Sequence, residues 1–166
     1  MITRTLSILA FTTTFVACTL RKQPPPAPAP ASVAKPPAEA PNLGGLLARE
    51  RAGRPAVAPA VEQVAAALER AGLGLSPMKQ VLARTVGARY CAAGTTAAGL
   101  AVAVCEFGND ADADRGLALS HRTFDALIPG RTLARNRATL LTLTPPGANA
   151  DGRAQAERVA TTFATL

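Results

Sequence analysis

No tryptophan occurs among the 166 residues, Tyr90 is the only tyrosine, and aromatic residues amount to 4% of the chain. Any core must therefore be built from valine, leucine and alanine around five phenylalanines. His121 is the only histidine, which excludes a paired-histidine zinc motif, and no P-loop, nucleophile elbow or CxxC pair occurs either. A catalytic triad through His121 would need a Ser or Cys and a carboxylate gathered from elsewhere in the chain. Placed beside the apolar positions Leu117 and Phe124, the ring is expected at the surface, partly exposed.

A run long enough to cross a bilayer is also missing from the N-terminus. Thr5 to Ala17 is a stretch of about thirteen apolar or hydroxylated residues, roughly 20 Å as a helix, against about 30 Å of hydrocarbon. That length suits the apolar region of a signal peptide. Acidic residues are in the minority, 11 against 18 basic, for a net charge of +7. The excess is unevenly placed. Residues 19–56 carry six basic and two acidic groups, whereas residues 57–166 carry eleven and nine. The part expected to fold is thus nearly balanced, which together with the shortage of stacking rings argues against nucleic acid as a partner. A basic segment beside anionic lipid or polysaccharide is the simpler reading.

The apolar run ends at Phe15-Val16-Ala17-Cys18. This resembles the lipobox of bacterial lipoproteins, in which Leu, a small or branched residue, and Ala or Gly precede the cysteine; Phe15 stands in the Leu position. The resemblance covers these four residues and their hydrophobic approach. It implies that residues 1–17 are a signal peptide, that cleavage precedes Cys18, and that Cys18 carries acyl chains on its thiol and new amino group. Thr19, rather than Asp, follows, and by the best-known sorting rule this implies the outer membrane. The membrane would be reached through the lipid, and the remainder of the chain would lie in the periplasm or at the cell surface. Two or more acyl chains anchor firmly where one does not. Arg21 and Lys22 stand where they can meet anionic headgroups.

Eight prolines interleaved with alanine lie between Pro24 and Pro41. Proline fixes φ and removes a backbone donor, so the segment favours extended polyproline II, on the order of 55 Å if straight. Residues 18–56 are read as a Pro/Ala-rich basic tether and residues 57–166 as a single small α+β domain. Within the tether's far end, Asn42 to Pro55 admits either a short docking helix or flexible chain, since Leu43, Leu46 and Leu47 are helically spaced but Gly44 and Gly45 are poor helix formers.

In the domain, Val61, Val64, Ala65 and Leu68 recur at helical spacing between Pro59 and Ala71. Met78, Val81, Leu82 and Val86 fit one helix face, but Gln80 to Cys91 also reads as a strand. Leu100 to Phe107 is apolar on both sides, as in a central strand, and pairs as a hairpin with Arg89 to Ala92. Asp110 to Ile128 reads as a helix buried along Ala113, Leu117, Ser120, Phe124 and Ile128. A second hairpin joins Arg131–Arg135 to Ala138–Thr144, turning at Asn136-Arg137, and a last helix buries Ala156, Val159, Phe163 and Leu166. The expected fold class is α+β: a small antiparallel sheet of four or five strands with helices packed on one face.

Cysteine arithmetic adds a constraint. If lipid consumes Cys18, the remaining pair is Cys91 and Cys105, an even number in an oxidising compartment. A hairpin centred on Ala98 places them directly opposite each other, within disulfide reach. The same register sets Glu106 opposite Tyr90, where a Tyr–Glu hydrogen bond at a sheet edge is expected.

"NDADAD", Asn109 to Asp114, has the first three acidic positions of an EF-hand at Asp110, Asp112 and Asp114. It carries Arg115 where glycine is needed and His121 where the closing Glu is needed. Asn109 or Asp110 is better read as a helix cap, with acids at the positive end of the dipole, and Asp151 as the cap of the last helix. No metal and no cofactor are expected. Two classes of function remain. One is a non-catalytic envelope lipoprotein whose domain binds or scaffolds an envelope protein or polysaccharide. The other is a tethered cell-wall or lipid hydrolase, for which Glu62, Glu69, Glu106 and Asp125 would supply the carboxylates. A deep polar pocket would favour the second, an exposed apolar patch the first.

Overall fold

The computed structural model describes residues 42–147 and 150–166, so Cys18 and the tract from Pro24 to Pro41 lie outside the described residues. The apolar run after Gly99 forms strand β3 (Ala101–Glu106), which pairs on one side with β2 (Tyr90–Thr95) and on the other with β5 (Thr139–Thr144). With β1 (Lys79–Val81) beside β2 and β4 (Thr132–Asn136) beside β5, the five antiparallel strands run in the order β1-β2-β3-β5-β4. The class is α+β, as expected. Among the described residues four helices accompany the sheet: α1 (Leu43–Ala52), α2 (Val61–Arg70), α3 (Asp110–Phe124) and α4 (Ala150–Ala164).

The helices do not share one face. Val102 and Val104 of β3 join Leu141 and Leu143 of β5 in a cluster with Val61, Val64 and Leu68 of α2 and Ala156, Val159 and Phe163 of α4. Val64, Leu68, Val159 and Phe163 are fully buried there, each worth about 1.5–3 kcal/mol against exposure. The alternate residues of the same strands, Cys105 and Leu140, point the other way and pack with Cys91, Phe107 and Ala113 of α3. A strand that is apolar on both sides needs cover on both sides, and α3 supplies the second layer. Gly116 permits the close approach: a Cβ there would stand 2.2 Å from the Phe107 ring. The helix stops at Phe124, earlier than its apolar spacing suggests, and Leu127 remains 73% exposed.

Residues 77–91 are neither the helix nor the long strand. After β1 the chain makes a 3-10 turn at Ala83–Val86, ended by Gly87 at φ 73°. The cause is tertiary. The Glu50 carboxylate on α1 accepts from the backbone N–H groups of Ala83 and Arg84 at 3.0–3.1 Å, capping the turn from outside. Residues of α1 are thus hydrogen-bonded to the domain that follows them. In the second hairpin the two-residue turn is Arg137-Ala138, one residue later than expected, with Arg137 at φ 49°. Asn136 stays in the strand because its side-chain amide donates to the Phe163 carbonyl at 2.9 Å, near the end of α4.

Candidate functional site

Cys91 and Cys105 are direct cross-strand partners and form a disulfide, with Cα atoms 4.1 Å apart. Both are buried under α3. The bridge closes the β2–β3 hairpin at the end where Glu106 lies.

Glu106 is the centre of the most elaborate polar arrangement among the described residues. Its side chain is fully buried although it ends a strand of alanine, valine and cysteine. A buried carboxylate must be paired and hydrogen-bonded. Arg54 meets it with two donors, Nε to Oε2 at 2.7 Å and Nη2 to Oε1 at 2.6 Å, the bidentate geometry that makes such pairs strong. The Val61 N–H, at the first turn of α2, donates to Oε1 at 2.7 Å. The outer edge of the same guanidinium donates to both oxygens of Glu62, at 2.7 and 2.5 Å, and its flat face lies 4.3 Å from the centre of the Tyr90 ring. Arg54 is therefore held in its charged form even more firmly than usual, chiefly by Glu106, and it pulls the Glu62 carboxyl below the ordinary range. Thr139 donates its hydroxyl to the Pro59 carbonyl at 2.6 Å, so the chain from Arg54 to Val61 is tied to the end of the central strands.

The expected Tyr90–Glu106 hydrogen bond is replaced. The two residues are cross-strand partners as anticipated, but Arg54 takes the carboxylate and leaves Tyr90 its ring face only. Nor is this a sheet edge, since β3 lies between β2 and β5. Arg54 itself was not among the residues singled out from the sequence. The available signal was Glu106, an acid in an otherwise apolar central strand, which demands a cation from elsewhere in the chain.

At the start of α3, Asn109 is the cap: its side chain accepts from the Asp112 N–H at 2.9 Å. Asp110 follows as the first helical residue. The acids face arginines. Asp112 pairs with Arg115, and Arg135 reaches Asp114 at 2.9 Å and Asp110 at 3.8 Å. Among the described residues no group of His, Cys, Asp or Glu is placed to hold a metal ion. Thermal melts of the protein in excess calcium and in chelator are expected to overlay; a calcium-dependent rise of several degrees would show that these acids leave their arginines for a cation. Asp151, expected as the cap of the last helix, is instead the second residue of α4. There its carboxylate still faces the positive end of the dipole.

His121 is exposed, with Nδ1 2.8 Å from Asp125 Oδ2. Arg131 donates to the other oxygen of Asp125 and, through Nη1 and Nη2, to the Ser120 hydroxyl and carbonyl at 2.8 and 2.6 Å. The Arg131 hydrogen bond, then that of His121, holds the Asp125 carboxyl below its usual range. Ser120 is thus turned to Arg131, and among the described residues no hydroxyl or thiol is hydrogen-bonded to His121. Glu62, Glu69, Glu106 and Asp125 are not gathered into one cleft. Glu62 and Glu69 border a shallow concavity of about 300 Å³ floored by Leu75, Met78 and Tyr90. Glu106 is buried beneath Arg54, and Asp125 follows α3 on the opposite layer. No helix among the described residues is long and apolar enough to cross a membrane.

Compared with known proteins, the chain matches no family model, and neither a curated protein nor a solved structure is significantly similar to it.

Proposed function

We propose that this protein is a lipid-anchored module of the bacterial cell envelope whose folded domain binds or scaffolds another envelope component, a protein or a polysaccharide, without catalysing a reaction. The observation that carries the reading is the Cys91–Cys105 disulfide. It accounts for two of the three cysteines and leaves Cys18 as the odd one, at the end of an apolar run of signal-peptide length. A structural disulfide also belongs to an oxidising compartment, where a lipid-anchored chain of this kind would reside. The lipid supplies the membrane contact, and the Pro/Ala-rich segment supplies reach.

The way the chain enters the domain supports the scaffold reading. Residues following the proline tract are secured by Glu50 on the 3-10 turn and by Arg54 on Glu106. The mature chain is expected to begin at an acylated Cys18. Mass spectrometry of the N-terminal peptide checks this. An unmodified cysteine, or a start elsewhere, would overturn the anchor.

A further inference from the structure

We infer that the folded domain itself docks on an anionic bilayer through an arginine cradle formed by Arg49, Arg84 and Arg89. The inference deepens the envelope reading above and takes from it the membrane within reach.

The three arginines come from separate pieces of chain. Arg49 lies on α1, Arg84 in the 3-10 turn and Arg89 just before β2. They line one concavity of about 240 Å³ together with Leu46, Glu50 and Ala88. All three are exposed. Their side chains make no hydrogen bond or ion pair with any described residue. That sets them apart from Arg54, Arg115, Arg131 and Arg135, each of which is paired with an acid. The acid at this concavity, Glu50, directs both oxygens to backbone N–H groups of the 3-10 turn. It is thereby the strut that holds α1 and its Arg49 beside Arg84. Three guanidinium groups against one engaged carboxylate leave a net positive cradle suited to phosphate oxygens, which guanidinium binds bidentately.

Two features favour a bilayer over a soluble polyanion. Leu43, at the start of α1, is 59% exposed and stands one helical turn before Leu46 in the cradle lining. An exposed leucine beside arginines is what an element lying in the headgroup region presents. The chain also enters α1 directly from the segment that carries Arg21, Lys22 and Lys35, so the cradle sits on the helix at which the basic tether arrives.

The test uses residues 18–166 with Cys18→Ser, so that no acyl chain contributes, and vesicles of equal parts phosphatidylglycerol and phosphatidylcholine. Cosedimentation is compared among this protein, its R49A/R84A/R89A variant and an R122A/R153A/R158A variant that loses the same charge from other exposed arginines. Binding is expected to anionic vesicles and not to pure phosphatidylcholine, and to weaken with salt. The cradle variant should partition on the order of a hundredfold less at low salt, with the control variant within a few-fold of the parent. Overlaying thermal melts would show that both variants are folded. Equal binding by the cradle variant, or an equal loss in the control variant, would overturn the inference by reducing the effect to tether or net charge. Retention on dextran sulfate with no vesicle partitioning would assign the arginines to a polysaccharide and likewise overturn the bilayer. Because acylation is removed in every sample, the outcome is independent of whether Cys18 carries lipid in the cell.

Discussion

Replacing Arg54 with alanine is expected to destabilise the domain by about 3–5 kcal/mol, the cost of leaving one member of a buried ion pair without its partner. Glu106 is wholly buried and Arg54 supplies two of its three hydrogen bonds. The remaining donor, the Val61 N–H, cannot neutralise a carboxylate. The loss includes the stacking of the guanidinium on Tyr90, a smaller contribution of about 0.5–2 kcal/mol. Glu106→Gln should also destabilise, because it removes the charge while leaving Arg54 only neutral acceptors on that side. The double substitution should cost clearly less than the two single effects added, since it removes the unpaired charge that each single variant creates. Urea denaturation of the four proteins measures this cycle. An Arg54→Ala variant within about 0.5 kcal/mol of the parent, the range of ordinary surface changes, would show that the junction contributes nothing.

The same substitution should reshape the acid side of the stability curve. Arg54 depresses the Glu62 carboxyl in the folded protein. The associated stability is therefore present above the unfolded value and lost as pH falls through the lower, folded one. Without Arg54 that shift disappears, and the decline of stability below the usual carboxylate range should be shallower.

Loss of the disulfide is the second large effect. The cysteines are 14 residues apart, and closing a loop of this length stabilises by about 3 kcal/mol in the chain-entropy model. Cys91→Ala with Cys105→Ala should lower the melting temperature by roughly 10–20 °C. Both positions are buried in an apolar cluster, so alanine introduces no unsatisfied polar group. Reductant should lower the melting temperature of the parent towards that of the double variant and leave the variant unchanged. Non-reducing peptide mapping identifies the bond directly, as a peptide containing Cys91 linked to one containing Cys105. Ready alkylation of both thiols without reductant would show that the strands are not stapled.

Much of the fold is legible in local chemistry. Alternation from Leu100 to Phe107 identifies a two-sided central strand, and symmetry of the cysteines about Ala98 sets the register of its hairpin; both hold in the structure. The spacing of Val61, Val64 and Leu68 marks α2, and Asn109 marks the start of α3. These signals survive because each depends on residues within a turn or two of one another, or on a pairing that a single covalent bond enforces.

What the sequence determined by itself is the set of pieces that interact locally: strand β3 and its partner, the helices with clear apolar stripes, and the pairing of Cys91 with Cys105. Tertiary structure alone decided which side of the sheet α3 covers, because a helix stripe records that one face is buried and not what buries it. It alone decided that residues 83–86 form a 3-10 turn, because the capping carboxylate of Glu50 comes from 33 residues away. And it alone brought Arg54 across 52 residues to Glu106: desolvation makes a buried carboxylate require a cation, but any arginine in the chain meets that requirement equally well until packing selects one.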